Sequence, residues 1–434
     1  MRVGRSGLGS RWRRLAVDLS PLRESRDFRY LWLGELISET GSQITLVAVF
    51  VQVYALTHSP AAVGAVGLVQ LVPLALAALL GGPLIDRVDR RRLLLVAQCS
   101  QAGASALLLV GALAGQPPLA LVYVGAGLVG GLSGFSLSTR AAMTPNLVPE
   151  DQLASALSLN QVMWNTCLIA GPALGGILIA QAGLSWAYGV DVMSFAATIL
   201  ACLVLHPQVP RDRPPRTRSL AATGWHELAE GVAFLRDKPV LQATFYVDLV
   251  AMIFGMPRAL FPVLAATRFG GGSETVGLLF SSAAIGAVLG ALTGGWVRRV
   301  RRQGLAVLWA VFVWGLGIIA FGLSGPRLGL AVTCLAVAGA ADVISAVFRG
   351  TILQTQTPDA LRGRLSGIHT FVVAGGPRIG DFEAGVVASA FTPTVSVVSG
   401  GVMCVVGVGV LAVLSPQFAR YHTGSTPRAE EDDG

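Results

Sequence analysis

Apolar residues in this chain are gathered into long runs that alternate with short polar turns. Each run has roughly twenty residues or more, which as a helix rising 1.5 Å per residue is enough to cross about 30 Å of hydrocarbon. The pattern predicts an all-α integral membrane protein with about twelve transmembrane helices. The predicted spans are 29–56, 61–82, 93–114, 118–139, 153–180, 184–205, 240–265, 275–297, 305–324, 328–353, 365–390 and 395–415.

The turns between the runs alternate in charge. Basic turns such as Arg87 to Arg92 and Arg298 to Arg302 are followed by turns with almost no charge, such as 116–118 and 182–183. Basic turns stay on the cytoplasmic side of a membrane. The alternation therefore predicts a multi-pass protein of the cell membrane with both termini in the cytoplasm. Lys238 is the single lysine beside the many arginines, which is typical of a GC-rich bacterial genome.

Composition narrows the class of protein further. Hydrophobic residues make up 53% of the chain and charged residues 13%, about half the charged share of a soluble domain. The net charge of +8 is accounted for by the basic turns, so we expect no nucleic-acid partner. The five cysteines and five histidines are scattered without metal-ligand spacing. We therefore predict no metal and no cofactor.

An internal repeat divides the chain. Arg140 stands nine residues before a Pro-Glu pair, and Arg349 stands nine residues before a Pro-Asp pair, an offset of 209. The repeat predicts two pseudo-symmetric six-helix bundles with a substrate path between them. The predicted parts are a cytoplasmic N-terminal tail (1–27), an N-terminal bundle (28–205), a cytoplasmic linker with an amphipathic helix (206–239), a C-terminal bundle (240–415) and a disordered cytoplasmic tail (416–434).

Ionisable side chains inside the spans are the strongest functional signal. Each costs about 2.5–3.5 kcal/mol to insert, so it must face a wet cavity or pair with a neighbour. Arg378 and Asp381, three residues apart on the eleventh span, are expected to pair, which leaves Glu383 without a partner. Neutralising pairs that only fix helix register are the alternative interpretation. The candidates for proton coupling are Glu35, Glu39, Asp248, Asp342, Asp381 and Glu383.

Other polar positions are candidates for substrate binding. Gln43 continues the stripe of acids on the first span, and Arg258 follows a Gly/Pro break in the seventh. Two arginines would hold an anionic group, as in a siderophore, whereas an apolar lining with acids would suit an amphipathic cationic drug. The residues leave this choice open. The candidates are Gln43, Asn165, Arg258 and Arg378.

Two short motifs resemble those of a known superfamily. The loop Gly82-x-x-x-Asp86-Arg87-x-x-Arg90-Arg91 resembles the loop between helices 2 and 3 of the major facilitator superfamily. The resemblance implies that Asp86 stabilises one conformation by meeting a helix N-terminus, a contact worth about 0.3–1 kcal/mol. Asp89 occupies a position where that pattern usually has glycine.

The fifth span carries the second motif, which resembles the antiporter motif of drug:proton exporters; it consists of Gly171, Pro172, Gly175 and Gly176. The segments 28–34, 230–236 and 357–364 are similar to the enterobactin (siderophore) exporter family within the same branch. The resemblance implies a secondary active transporter that exports a siderophore or an amphipathic drug by proton antiport and alternating access, and that works as a monomer. One departure is that the predicted fourth span, 118–139, lacks the buried arginine of many drug exporters, because Arg140 follows its end.

Three other functions remain as alternatives. A transporter of this superfamily that imports its substrate or couples to another ion has the same sequence features. An integral-membrane enzyme would need clustered catalytic or metal-binding residues at a membrane face. A non-transporting scaffold gains nothing from buried charges. We therefore predict a transporter and not an enzyme, with a small-molecule substrate, protons as the coupling ion and the lipid bilayer as its partners.

Overall fold

The computed structural model describes residues 18–209, 220–294, 297, 300–358 and 361–422, and this part of the chain is helical without strands. Twelve long helices follow one another, which confirms the predicted fold class. They are α1 (Arg26–Thr57), α2 (Pro60–Ile85), α3 (Arg90–Leu113), α4 (Leu119–Leu147), α5 (Leu153–Ala182), α6 (Leu184–Val204), α7 (Pro239–Thr267), α8 (Ser273–Thr293), α9 (Gln303–Gly322), α10 (Leu328–Gln356), α11 (Arg362–Ala390) and α12 (Pro393–Leu414).

Eleven of these helices are long and apolar enough to cross a membrane, as judged over the described residues. The remaining one, α11, has 29 residues and carries Arg378, Asp381 and Glu383 near its middle. It packs along α2 and α7, so it runs through the membrane domain beside them. Buried charge and not a lack of length therefore sets α11 apart.

The two halves of the chain repeat one another helix by helix. A shift of 209 residues brings α5 onto α11 and α6 onto α12 within one residue at each end. The helix α7 departs from its counterpart α1, because it breaks after Phe254 and resumes through a 3-10 turn at Arg258–Leu260. Gly255 and Pro257 lie in this break, where proline cannot donate a backbone hydrogen bond.

The bundles α1–α6 and α7–α12 meet at one end of the molecule. We call the end with the turn between α2 and α3 the basic side, and the opposite end the far side. At the far side the Ala61 amide donates to Ser389 Oγ at 2.9 Å, and a Cβ at Gly64 would lie 2.5 Å from the Asp381 carbonyl oxygen. A Cβ at Gly277 of α8 would likewise overlap the carbonyl oxygen of Pro172. These close contacts between bundles belong to the far halves of the helices.

A short helix, Leu220–Arg236, crosses the basic side between the bundles and contacts both α2 and α11. Glu230 pairs with Arg364 at 2.7 Å, and Gly231 lies against Ile368. Trp225 of this short helix is exposed, as expected for a helix on a membrane surface. The Pro/Arg-rich stretch of the predicted linker, 210–219, lies outside the described residues.

The ends of the described chain pack against the bundles. Ser25 Oγ donates to the Leu147 carbonyl at 2.6 Å, close to the start of α1. The predicted disordered tail begins too early, because Pro416–Ala419 is helical and Phe418 is fully buried. Gln356 also donates to the Tyr421 hydroxyl at 3.0 Å. Residues 1–17 and 423–434 of the two predicted tails lie outside the described residues.

Two glycines on α10 give a matched test of the packing. A Cβ at Gly339 would overlap the carbonyl oxygen of Ala283 on α8, whereas a Cβ at Gly350 would meet nothing within 4 Å. We expect Gly339→Ala to lower the free energy of unfolding by about 1–3 kcal/mol, the usual cost of overpacking. Gly350→Ala is expected to raise it by roughly 0.5–1 kcal/mol through helix propensity. Unfolding of both variants in detergent micelles measures the difference, and equal stabilities would contradict it.

Candidate coupling and substrate sites

Arg140 lies inside α4 and not beyond its end. The prediction of a fourth span over 118–139 is wrong at this boundary, because the helix continues through 141–144 to Leu147. The Arg140 side chain is only 12% exposed. The expected lack of a buried arginine in the fourth helix is therefore also wrong. The predicted span stopped at 139 because Arg140 interrupts the apolar run. In the structure the helix continues, since a buried partner compensates the charge of Arg140.

That partner is the pair of acids on α1. The Arg140 guanidinium forms a close ion pair with Glu35 and a second one with Glu39 at 3.7 Å. Gln98 on α3 donates to Glu35 at 3.3 Å, and Gln43 donates to Glu39 at 2.9 Å. We call Arg140, Glu35 and Glu39 the N trio. Two carboxylates share one guanidinium, so the ionised N trio carries one surplus negative charge.

A second trio lies in the other bundle. Arg349 on α10 pairs with Asp248 on α7 at 3.0 Å and with Asp342 at 3.5 Å. His369 of α11 reaches the other oxygen of the fully buried Asp248 at 3.3 Å. We call Arg349, Asp248 and Asp342 the C trio. With His369 neutral, it too carries one surplus negative charge.

The two trios are related by the repeat. A shift of 209 residues brings Arg140 onto Arg349 and Glu39 onto Asp248. The second acid differs in origin, since Glu35 comes from α1 whereas Asp342 comes from α10 itself. Sequence reasoning found the arginines as a repeat and the acids as candidates, but it did not join them. The shared offset was the signal that would have joined them.

A third charged group lies at the break of α7. Asp381 of α11 pairs with Arg258 at 2.9 Å and accepts the Ala259 amide at 3.2 Å. The expected pairing of Asp381 with Arg378 is therefore wrong, because the break in α7 supplies a better donor set. Arg378 donates to the Ala374 carbonyl of its own helix. We call Arg258, Arg378 and Asp381 the arginine group, which carries one surplus positive charge.

Both arginines of the arginine group keep unused donors. The Nε atoms of Arg258 and Arg378 are buried and have no hydrogen-bond partner among the described residues. Each arginine also interacts electrostatically with Asp381. The Arg258 side chain is 26% exposed, so part of its guanidinium is open to a ligand. The group is chemically suited to an anion.

Two candidates stand apart from these groups. Glu383 is half-buried and makes no hydrogen bond or ion pair with the described residues, as the sequence had indicated. Asn165 on α5 accepts from Gln161 of the same helix at 3.4 Å. Neither is brought into contact with the trios.

The motif on α5 lies between two other helices. Gly171 faces Gln43 and Gly175 faces Ile44 on α1, while a Cβ at Gly176 would lie 2.5 Å from the Ser273 carbonyl oxygen of α8. Pro172, inside α5, faces Gly277. The motif thus joins α5 to its own bundle and to the opposite one.

The loop between α2 and α3 holds its aspartate in solvent. The Asp86 side chain is 57% exposed and has Arg90 at 3.8 Å, so within the described ranges it meets no helix N-terminus in this conformation. Asp89 takes the capping position instead, since its Oδ1 accepts the amides of Arg91 and Gln208. The backbone of Asp89 has φ −59°, so the turn forms without glycine. Gly82 lies in the last turn of α2, and the Gly82 carbonyl accepts the Asp86 amide.

The arginines of this loop attach to neighbouring helices. Arg90 Nη1 donates to the Ala142 carbonyl of α4 at 2.9 Å, and Arg91 Nε donates to the Cys202 carbonyl of α6 at 2.6 Å. The loop is therefore anchored to the N-terminal bundle while Asp86 remains exposed.

Comparison with known proteins agrees with this architecture. The family model described as transmembrane secretion effector matches residues 16–428. The chain is 30% identical over 417 residues to the Enterobactin exporter EntS of Escherichia coli (strain K12), covering 96% of this chain and 98% of that protein. It is 30% identical over 399 residues to the protein of the same name from Shigella boydii serotype 18, covering 92% and 94%.

A solved structure shows the same fold at low identity. A crystal structure of a peptide transporter POT superposes with a TM-score of 0.75 at 13% identity, covering 92% of this chain and 96% of that one. The chain is therefore a multi-pass membrane transporter and not an enzyme. By its sequence and its fold, it belongs to the transmembrane secretion effector family of the major facilitator superfamily.

Proposed function

We propose that this protein exports an anionic small molecule, a siderophore, across the cytoplasmic membrane in exchange for protons. Its similarity to enterobactin exporters over almost the whole chain supports the substrate class and the direction. The charges inside the membrane support the coupling. Each trio has one carboxylate more than it has arginines, and the arginine group has one arginine more than it has carboxylates. The surplus positive charge on the arginine group carries the choice of an anionic substrate.

The basic side is the cytoplasmic side in this proposal. The basic turns lie there, and positive loops remain in the cytoplasm. The close contacts between bundles lie at the far side, so the conformation is one that admits substrate from the cytoplasm. Export then requires these contacts to separate while the basic side closes. Closure would bring the exposed Asp86 toward the opposite bundle.

The trios are the proton sites. A carboxylate that shares its arginine with a second carboxylate in a low-dielectric interior gains most from binding a proton. In each trio one acid is fully or nearly buried, Glu35 or Asp248, and the other is more accessible, Glu39 at 14% or Asp342 at 27%. The accessible acid exchanges its proton with the cavity, while the buried acid keeps the arginine neutralised.

The arginine group receives the substrate. Its surplus charge and the exposed part of the Arg258 guanidinium favour catecholate, hydroxamate or carboxylate oxygens, which form charge-assisted hydrogen bonds. A lipophilic cation would be repelled by the same group. Apart from Glu383, the charged candidates near it are arginines and the already paired Asp381.

Everted membrane vesicles test the proposal. Respiration acidifies their interior, and a fluorescent reporter follows the proton gradient as candidate substrates are added outside. We expect a hydroxamate or catecholate siderophore to collapse the gradient, and a lipophilic cation to leave it intact. Vesicles with the Glu39→Gln/Asp342→Asn double variant serve as the control and should not respond, because neither trio then has an acid that exchanges a proton. Collapse by cations alone would replace the siderophore by a cationic drug, and no collapse by any class would refute proton-coupled export.

Arg258→Gln tests the substrate site. Loss of a charge-assisted hydrogen bond costs about 1.5–3 kcal/mol, so we expect the apparent affinity for the siderophore to fall by roughly 10- to 100-fold. Arg268→Gln is the matched control, because Arg268 directly follows the end of the same helix but donates to the Gly322 carbonyl at 3.0 Å. The siderophore concentration that gives half-maximal collapse of the gradient measures the apparent affinity of both variants. An unchanged affinity in Arg258→Gln would remove Arg258 from the substrate site.

A further inference from the structure

A carboxylate without a charged partner is sealed inside the N-terminal bundle. Asp191 of α6 is 0% exposed. Its Oδ2 accepts Thr45 Oγ1 of α1 at 2.7 Å and Ser105 Oγ of α3. Its Oδ1 is buried and has no hydrogen-bond partner among the described residues. An ionised carboxylate in such a place is costly unless a cation or a proton neutralises it.

The packing around Asp191 favours a proton over a metal ion. A Cβ at Gly41 of α1 would lie 2.8 Å from Asp191 Oδ1 and would overlap Ser194 Oγ. The helices α1 and α6 therefore touch at this point. Ser194 Oγ is already engaged with the Asp191 carbonyl at 2.7 Å. A proton needs no additional space and would use the unpaired Oδ1.

Asp191 is one of several buried polar residues on α1, α3 and α6. On α3, Gln98, Gln101 and Ser105 recur at helical spacing on one face, and Gln98 reaches Glu35 of the N trio at 3.3 Å. On α6, Ser194 and Thr198 continue the face of Asp191 toward the basic side. We call this set the polar file; all of its members are buried, and they are Ser38, Thr45, Gln98, Gln101, Ser105, Asp191, Ser194 and Thr198.

The second bundle shows that the fold does not need these polar groups. A shift of 209 residues places small or apolar residues at the corresponding positions of α9 and α12. The same helix arrangement is therefore stable with an apolar interior there. Buried polar groups are generally no better for stability than well-packed apolar ones, so their presence in one bundle alone indicates a function. The counterparts of Gln98, Gln101, Ser105, Asp191, Ser194 and Thr198 are Val307, Ala310, Trp314, Gly400, Met403 and Gly407.

We propose that Asp191 is a proton-binding site inside the N-terminal bundle, connected to the N trio by the polar file and separate from the path between the bundles. It rests on the proton-coupled export proposed above and adds a site that holds a proton away from the substrate. The charged and titratable groups nearest to it are Glu39 and the Glu35–Arg140 pair toward the basic side, and Tyr188 on its own helix. The helices α3 and α5 present no charged side chain at this depth.

Infrared spectroscopy of the purified full-length protein tests the site without any substrate. A protonated carboxyl has a C=O stretch that a carboxylate lacks, and an exposed aspartate is ionised at about pH 7. We expect a carboxyl band at this pH that disappears in Asp191→Asn. Thr45→Val is expected to shift the band, because it removes one hydrogen bond to the carboxyl. Glu150→Gln, at an exposed position, is the control and should leave the band unchanged.

The outcomes separate this site from the exporter proposal. A band lost in Asp191→Asn supports the site even where no substrate collapses the gradient. If Asp191→Asn does not fold, the shift in Thr45→Val remains the test. Absence of any band sensitive to both substitutions at about pH 7 would overturn the proposal. So would a band that sodium abolishes at constant pH, since that would make Asp191 a metal-ion site.

Discussion

Arg349→Met is expected to destabilise the protein by about 3–5 kcal/mol, the cost of leaving buried charges without a partner. Asp248 is fully buried and lies 3.0 Å from Arg349 Nε, while Asp342 lies 3.5 Å from Nη2 of the same arginine. Methionine fills a similar volume but offers no charge, so Asp248 would keep only His369 and Asp342 would have no charged partner among the described residues. Reversible unfolding in mixed detergent micelles measures the loss.

Two further variants show whether charge is the cause. Combining Arg349→Met with Asp248→Asn and Asp342→Asn removes the orphaned charges, so most of the stability should return. Arg327→Met, at an exposed arginine that precedes α10, should change stability by less than about 0.5 kcal/mol. If Arg349→Met alone were as stable as the wild type, the C trio would not be an ion-paired site.

The spans could be read from the sequence because the membrane imposes their length. The predicted ends of the second and fifth spans, for example, lie within a few residues of α2 and α5. The fourth span failed because an apolar run ends where a charge appears, whereas a helix ends where its backbone hydrogen bonds end. Arg140 keeps the helical backbone conformation, and its charge is neutralised by Glu35 on another helix. A pattern along one segment contains no information about that partner.

The same limit explains the error at Asp381. Spacing along α11 made Arg378 the nearest basic residue, and helical neighbours three apart do meet. In the structure Asp381 pairs with Arg258, because the break in α7 turns both the Arg258 guanidinium and the Ala259 amide toward the Asp381 carboxylate. A break is visible in the sequence as Gly255 and Pro257, but the direction in which it turns the chain is set by packing.

A sequence also does not specify which conformation is present. The loop motif implied that Asp86 meets a helix end, yet here it lies in solvent beside Arg90. Under the proposed alternating access, Asp86 would meet a helix end only in the other conformation. Asp89, which departs from the motif, caps α3 with its carboxylate and so replaces glycine by a different device.

Glu39→Gln combined with Asp342→Asn is expected to abolish proton-driven accumulation of substrate while downhill movement continues. Each substitution removes the surplus negative charge of one trio but leaves Arg140 with Glu35 and Arg349 with Asp248. The helices should therefore stay in register. Proteoliposomes with an imposed pH gradient and a clamped membrane potential measure accumulation, and exchange without a gradient measures downhill movement.

The single variants count the protons. One pH unit is worth about 1.36 kcal/mol per proton, which is a tenfold accumulation. If each trio carries one proton, the wild type reaches about 100-fold, each single variant about tenfold, and the double variant no accumulation. Glu150→Gln, at an exposed acid outside both trios, should match the wild type. Tenfold accumulation by the double variant would mean that the protons travel elsewhere, and Glu383 would be the next acid to neutralise, because it has no ion-pair partner among the described residues.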